Sequence, residues 1–232
     1  MSQGKLYELK TIKNLGTRRL FNLATDFFVS FFSKKNESRT NNIYTKAINM
    51  SISNFIEASI QHFENHTYDI SLALVASAVD ATATKSKYKG NNNVKYKKFL
   101  KDNMRIITTF GFPGISASAI KIKCHNIKDL KTDKNNMVNI EDIIYHTIRC
   151  GLIHQCDISN SIEFTEKTYI GDFIDTFKIP QNLVLGLIMS VVLAECNKNE
   201  KLSTNVYTII NPISQEELII NNLWGFKNSY IL

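Results

Sequence analysis

Proline and glycine are scarce in this chain, at 3 and 9 of 232 residues. Because these residues interrupt helices and supply the turns between short strands, their scarcity argues against a fold of many strands. Hydrophobic residues make up 44% of the chain and charged residues 21%, a balance that argues against intrinsic disorder. The sequence therefore predicts a globular, mainly α-helical protein.

Long apolar runs and a disulfide pattern are also missing. The longest apolar segment, residues 183–194, has 12 residues, which is too short to span a bilayer and typical of a buried helix. The first ten residues contain no apolar run of the kind found in signal peptides. We therefore expect reduced thiols, a cytoplasmic location and no membrane partner. The spacing of the four cysteines is not that of a disulfide scaffold. They are Cys124, Cys150, Cys156 and Cys196.

Apolar residues recur with the 3.6-residue period of a helix in six segments. Asn139 is the predicted N-cap of one of them, because Glu141 and Asp142 follow it in the first turn, where the helix dipole favours acids. Pro180 is expected in the first turn of the last one. The predicted helices are residues 17–33, 42–65, 68–87, 94–110, 140–155 and 181–197.

Short strands are expected mainly in the C-terminal half, where apolar and polar residues alternate or β-branched residues cluster. The sequence predicts a single domain over residues 1–232, with its core at about 42–197 and a C-terminal appendage at 198–232. The predicted strands are residues 161–165 and 206–210; residues 119–124 fit either a strand or a helical turn, and residues 216–223 fit a terminal helical turn.

Positive charge is concentrated between Lys85 and Arg105. This window holds eight basic residues and one acid, Asp102, so it accounts for the formal net charge of +7. Tyr88 and Tyr96 are interleaved with the lysines, and such a surface is typical of contact with a phosphate backbone. The alternative is a solvated helix face beside a lysine-rich loop. The residues expected to bind RNA are Lys85, Lys87, Lys95, Lys97, Lys98 and Lys101.

One arginine and one histidine, Arg149 and His154, lie five positions apart in the segment 140–155. The arginine keeps its charge, and the histidine can exchange a proton near neutral pH. Together they have the groups needed to cleave a phosphodiester without a metal. On a straight α-helix their side chains are about 140° apart, so they share a cleft only if the helix is distorted near Gly151 or if two chains meet. Taken alone, the pair is more typical of two unrelated helix residues.

Two other arrangements use the same segment. His146, Cys150 and His154, with Cys156 nearby, are candidate zinc ligands. A straight helix separates the first and third by about 12 Å, however, which is too far for one tetrahedral ion. Cys150 is also a candidate nucleophile beside the two histidines, but no independent feature supports that role. The chain has no glycine-rich phosphate loop and no serine nucleophile elbow, and we expect neither a metal nor a cofactor.

Residues 149–154, with the sequence Arg-Cys-Gly-Leu-Ile-His, resemble the R-x4-6-H motif of the HEPN domain family. Residues 72–81 resemble an earlier core helix of that family, and residues 157–165 resemble the segment that follows its motif. The resemblance covers roughly residues 42–173. It implies an antiparallel helical bundle, here with short additional β elements in the C-terminal half. HEPN proteins are commonly dimers, and many are metal-independent endoribonucleases.

The resemblance also implies residue roles. His154 would take the proton from a ribose 2′-hydroxyl or give one to the leaving 5′-oxygen, and Arg149 would stabilise the negative charge at phosphorus. Asp80 would orient one of them, with Cys150 and His146 in support. The products would be a 2′,3′-cyclic phosphate and a 5′-hydroxyl. Cys150 departs from the polar residue, such as asparagine, that often follows the arginine in active members, and a thiol is a weak hydrogen-bond partner.

The sequence thus favours a homodimeric endoribonuclease with RNA as its partner, acting in antiviral defence or as a toxin. A regulatory protein is a further candidate partner. The alternative is a HEPN-like module that binds RNA, a nucleotide or a protein without cleaving it. A third hypothesis is a structural helical protein whose basic window only increases solubility.

Overall fold

The computed structural model describes residues 10–11, 51–125, 127, 130–148, 162–174 and 176–226. The chain divides into two compact units, Met1–Lys10 with Met50–Leu232, and Thr11–Asn49. The second unit contributes only Thr11 to the described residues. The predicted helix 17–33 and the beginning of the predicted helix 42–65 lie outside the described residues. The helix 17–33, the part of the helix 42–65 that precedes residue 51, and the single domain over the whole chain stay predictions.

The described part of the chain contains six α-helices, with short strands in its C-terminal half, so the mainly α prediction is confirmed there. The antiparallel bundle of HEPN type stays a prediction. The first two helices agree with the predicted segments 42–65 and 68–87. The helices are α1 (Ile52–Glu64), α2 (Tyr68–Lys85), α3 (Asn92–Asp102), α4 (Met104–Gly111), α5 (Ile140–Ile144) and α6 (Leu183–Val192).

Helices α1 and α2 are joined by two buried serines. The hydroxyl of Ser59 donates to the carbonyl of Ser71 at 2.9 Å, and the hydroxyl of Ser71 donates to the carbonyl of Ser59 at 2.7 Å. Both residues are fully buried. Because the side chains are small and their hydroxyls are satisfied, the two helices pack closely without an unpaired polar group.

Helices α3 and α4 correct the prediction of one continuous helix over residues 94–110. The backbone leaves helical geometry at Asn103, with φ −114° and ψ 10°. Its side-chain Nδ2 donates to the carbonyl of Phe99 at 2.7 Å, so an asparagine side chain competes with the backbone for a helical acceptor. The apolar period continues across the break, and for that reason the sequence pattern did not reveal it.

Helix α6 forms the centre of the core, because all ten of its residues are buried. Helix α4 packs against it at Gly111 and Gly186. A Cβ atom at Gly186 would overlap the backbone carbonyl oxygen of Ile107, and a Cβ atom at Gly111 would lie 3.1 Å from the Cα atom of Leu183. The two backbones therefore approach each other so closely that only glycine fits at residue 186, and a side chain at residue 111 would require its neighbour to shift. Among the described residues, no helix is both long and apolar enough to cross a membrane.

Helix α6 is shorter than the predicted helix 181–197, and the residues on both sides of it have other structures. Pro180 is the last residue of a strand, not part of the first helical turn. A proline is tolerated there because the neighbouring strand Gly171–Phe173 pairs with this strand only as far as Lys178, and the bond to the strand Ile162–Thr165 is made by the N–H of Gln181, which donates to the carbonyl of Thr165 at 2.9 Å. After Val192 the helix gives way to a 3₁₀ turn at Glu195–Asn197. The buried Asn197 Nδ2 donates to Thr82 Oγ1 at 3.0 Å and to the carbonyl of Val191 at 2.9 Å, so it fixes this turn to α2 and α6.

The strands form three small sheets. One sheet is the antiparallel pair β2-β3, in which Ile122 lies opposite Val138. The second has the order β4-β6-β5, with β4 and β6 parallel and β5 and β6 antiparallel. The third has the order β1-β7-β8, with β7 and β8 antiparallel. The strands are β1 (Lys10–Thr11), β2 (Lys121–Lys123), β3 (Met137–Asn139), β4 (Ile162–Thr165), β5 (Gly171–Phe173), β6 (Thr176–Pro180), β7 (Tyr207–Ile210) and β8 (Glu217–Ile219).

The two predicted strands are confirmed as β4 and β7, and the segment 119–124 contains a strand, β2. The helical turn predicted over residues 216–223 is wrong in its first half, which is β8. A 3₁₀ turn, Ile220–Asn222, follows β8. Pairing with β7 explains the difference, because Ile209 lies opposite Leu218 and gives residues 217–219 an extended partner.

Gly186→Ala should lower the free energy of unfolding by more than about 2 kcal/mol, because the added Cβ meets backbone that cannot move without separating α4 from α6. Urea unfolding followed by circular dichroism would measure it. Ser190→Ala is the matched control in the same helix. Ser190 is also fully buried, and its hydroxyl donates only within the helix, to Leu187. We expect the control to cost about 1 kcal/mol or less; equal losses would contradict close packing at Gly186.

Candidate nucleic-acid interface

The basic window identified in the sequence runs from the end of α2 through α3. Asn91 caps the beginning of α3, and its side chain accepts the backbone N–H of Val94 at 3.0 Å. The buried side chains of the helix, Tyr96, Phe99 and Leu100, share one face. At 100° per residue, the four lysines of the helix follow one another around the remaining surface. They are Lys95, Lys97, Lys98 and Lys101.

Lys97 joins this basic face to α5. Its Nζ lies 2.9 Å from Asp142 Oδ1 and 5.0 Å from the centre of the Tyr145 ring. The Tyr145 ring also meets the ring of Tyr96 edge-on, with centroids 5.5 Å apart. An ion pair, a cation–π contact and an aromatic pair therefore connect α3 to the segment that leads to Arg149.

Two further lysines of the window are paired with carboxylates. Lys85 lies 3.1 Å from Glu200, and Lys98 lies 3.5 Å from Asp102 and 5.5 Å from the centre of the Tyr88 ring. These pairs are at the surface, where they add little stability and reduce the local positive charge. The lysines predicted to bind RNA are thus not equivalent.

Tyr88 is held as a neutral phenol beside these charges. Burial, and then the Asp102 carboxylate with which it forms a hydrogen bond, raise the pKa of Tyr88 to about 12. A phenol hydrogen-bonded to a carboxylate must act as the donor. The ring is therefore fixed in place and does not titrate at physiological pH.

The remaining three predicted lysines, Lys87, Lys95 and Lys101, have no ion-pair partner among the carboxylates that the structure describes. Lys87 and Lys101 are exposed, and Lys95 is half-buried. Their full charge is available to a polyanion. Among the six predicted lysines, these three should therefore attract phosphate most strongly.

The helix expected at residues 140–155 is confirmed at its beginning. Asn139 is the N-cap residue, with Glu141 and Asp142 in the first turn. Its side chain does not cap the helix backbone; Nδ2 donates to Asp142 Oδ2 at 3.2 Å instead. The α-helix ends at Ile144 and continues as a π-helix over residues 145–148. A π-helical turn has hydrogen bonds between residues i and i+5. Such turns are rare in proteins, and those that occur often lie at functional sites.

The predicted catalytic residues Arg149 and His154, and the supporting Cys150, lie outside the described residues. Asp80 is half-buried on α2, and His146 is half-buried in the π-helical segment. The catalytic and supporting roles of all five residues stay predictions. Among the described residues no group of three His, Cys, Asp or Glu side chains could hold a metal ion.

A histidine–aspartate pair was not identified from the sequence. His125 Nδ1 lies 2.9 Å from Asp172 Oδ2, and the same carboxylate accepts the backbone N–H of His125. The pair borders a cavity of about 390 Å³ with Lys123 and Tyr169. The two residues are 47 positions apart and meet because β2 lies next to β5. No periodic pattern in the sequence predicts that β2 and β5 lie side by side, so the sequence alone does not reveal the pair.

Comparison with known proteins identifies relatives of this chain. It is 23% identical to the uncharacterized proteins Rv1289 and MT1327 of Mycobacterium tuberculosis and Mb1320 of Mycobacterium bovis, over 158 residues that cover 65% of this chain and 73% of each relative. No solved structure matches it. The Rv1289 family matches residues 51–230, which include every described residue except β1. The chain therefore belongs to the Rv1289 family.

Proposed function

We propose that this protein is a cytoplasmic, metal-independent endoribonuclease that acts as a homodimer. RNA would lie along the basic face of α3, and Arg149 and His154 would carry out the cleavage. The observation that carries the proposal is the contact of Lys97 with Asp142 and Tyr145. This contact attaches the most basic surface of the described chain to the segment that leads to the Arg149–His154 pair.

The π-helical segment is the second support. Residues 145–148 form a π-helical turn that ends directly before Arg149, and such turns often lie at functional sites. In a homodimer a second copy of the pair would complete the site.

The proposed reaction uses the 2′-hydroxyl of RNA as the nucleophile. His154 would accept its proton or protonate the leaving 5′-oxygen. Arg149 would stabilise the negative charge that accumulates on the phosphoryl oxygens in the transition state. The bond to the 5′-oxygen breaks as the bond from the 2′-oxygen forms, so the ends are a 2′,3′-cyclic phosphate and a 5′-hydroxyl. Asp80, Cys150 and His146 would support the pair.

A binding module that does not cleave RNA is the second candidate. Three lysines without a described carboxylate partner favour binding of a polyanion whether or not cleavage follows. Cys150, in place of a polar residue, favours this candidate over the nuclease. Salt-dependent RNA binding without cleavage, unchanged by Arg149→Ala, would identify it.

His154→Ala should lower the rate of RNA cleavage at least about 100-fold, because general acid–base catalysis by a placed side chain contributes that much. A labelled single-stranded RNA incubated with excess EDTA, with the products separated on a gel, would measure it. His66→Ala is the matched control, because His66 is an exposed histidine in the turn between α1 and α2. Cleavage that requires a divalent metal, or an unimpaired His154→Ala variant, would contradict the proposal.

The double substitution Lys95→Gln and Lys101→Gln should weaken RNA binding and reduce its dependence on salt. Each lost contact with a single-stranded phosphate lowers the slope of log K against log salt concentration by about 0.7, so we expect a decrease of roughly 1.4. Fluorescence anisotropy over a range of NaCl concentrations would measure it. Lys121→Gln is the control, because Lys121 lies on β2 and is paired with Asp133. Equal slopes for the double variant and the wild type would contradict RNA binding at this face.

A further inference from the structure

The cavity beside the His125–Asp172 pair has a volume of about 390 Å³, which is within the range of small-molecule sites, about 300–1,000 Å³. The residues that border it belong to β2 and β5 or lie next to these strands, and none belongs to the basic window or to residues 149–154. Four of them are polar or charged and two are aliphatic. They are Lys123, His125, Tyr169, Asp172, Ile122 and Ile170.

Asp172 fixes both the position and the tautomer of His125. One carboxylate oxygen, Oδ2, lies 2.9 Å from Nδ1 of the ring and also accepts the backbone N–H of the same histidine. Because an ionised carboxylate can only accept, Nδ1 carries the proton of a neutral ring and Nε2 keeps a lone pair. The histidine side chain is 50% exposed, and no described group bonds to Nε2. An imidazole held in this way can act as a general base.

The backbone around Asp172 is itself held in place. Gly171, directly before it, has a φ of +146°, a conformation that residues with a side chain rarely adopt. The Tyr169 hydroxyl donates to the carbonyl of Asp172 at 2.7 Å, and the pairing of β5 with β6 places Asp172 opposite Phe177. The carboxylate is therefore oriented by the fold before any ligand binds, as the orienting group of a catalytic base must be.

The charges around the cavity favour a substrate with a single negative charge. Lys123 and Asp172 are the one cation and the one carboxylate among the described residues that border it. Lys123 is exposed and has no ion-pair partner among the described carboxylates. A polyanion would meet the Asp172 carboxylate with only one lysine to compensate, whereas Ile122 and Ile170 can accept a short hydrocarbon chain.

We propose that this cavity is a hydrolytic site for small esters that carry one carboxylate. His125 Nε2 would take a proton from water as the water oxygen bonds to the ester carbonyl carbon, and Asp172 would stabilise the imidazolium ion that forms. The bond from that carbon to the alcohol oxygen then breaks, and the proton passes from Nε2 to the alcohol oxygen. The products are an acid and an alcohol. Lys123 would bind the carboxylate of the substrate.

The succinic acid monoester of 4-nitrophenol is a suitable probe, because it carries one carboxylate and its hydrolysis by the full chain releases a coloured product. His125→Gln should lower kcat at least about 100-fold, the usual contribution of a general base. His66→Gln is the matched control, because His66 is also exposed but its Nδ1 bonds to the Tyr68 hydroxyl instead of a carboxylate. No hydrolysis by the wild type, or equal losses in the two variants, would overturn the site.

Asp172→Asn distinguishes a positioning residue from a merely structural one. The asparagine oxygen can still accept both N–H groups of His125, so thermal unfolding should change little, but the negative charge is lost. We expect kcat to fall at least about tenfold while KM is nearly constant. The wild type should also react more slowly in D₂O than in H₂O, because a proton of water is transferred in the rate-limiting step. Unchanged kcat in the variant, or equal rates in the two solvents, would overturn the general-base role.

Lys123→Gln tests the recognition of the carboxylate. The variant should raise KM for the succinate ester about fivefold, and it should raise KM less for 4-nitrophenyl acetate, which has no carboxylate. Lys121→Gln is the control, because Lys121 is on the same face of β2 but is paired with Asp133 and does not border the cavity. Equal changes in KM for the two esters, or equal effects of the two lysine variants, would overturn the assigned contact.

Discussion

The close approach of α4 to α6 is the constraint on which the rest of the described fold depends. Helix α6 has no exposed residue, so the surrounding elements must cover it on every side. Gly111 and Gly186 allow α4 to approach at backbone distance, and Asn197 fixes the end of α6 to α2 through satisfied hydrogen bonds. This packing brings the end of α2 and the junction of α3 and α4 together, and a cavity of about 540 Å³ forms there.

The same arrangement gives α3 its functional position. The apolar face of α3 is buried in the core, so its lysines lie on the remaining surface. Lys97 uses its charge within the protein, on Asp142 and Tyr145, whereas Lys95 and Lys101 keep theirs for an external anion. A basic surface attached to the segment that leads to Arg149 is what the proposed nuclease requires. In that proposed nuclease, binding and cleavage would be separable by substitution at different residues.

Much of this fold could be predicted from periodicity and capping. The long apolar periods of α1 and α2, and the asparagine followed by two acids at the beginning of α5, are local signals that tertiary contacts did not override. The break at Asn103 could not be predicted, because the apolar period continues across it. Pro180 was assigned to a helix because proline is common in a first helical turn, whereas here it ends a strand whose pairing with β5 stops at Lys178. The contact of His125 with Asp172 joins residues 47 positions apart, and no local pattern encodes it.

The identity of the nucleophile separates the proposed nuclease most directly from other phosphodiesterases. A single-stranded RNA in which only the nucleotide 5′ to the scissile phosphate is 2′-deoxy keeps every phosphate contact but loses the attacking hydroxyl. Mass spectrometry of the products formed in EDTA would locate each cleavage and identify its ends. The proposed mechanism predicts that cleavage stops at the modified position alone, and that every other cut carries a 2′,3′-cyclic phosphate and a 5′-hydroxyl. Cleavage at the modified position, or ends with a 5′-phosphate, would contradict it.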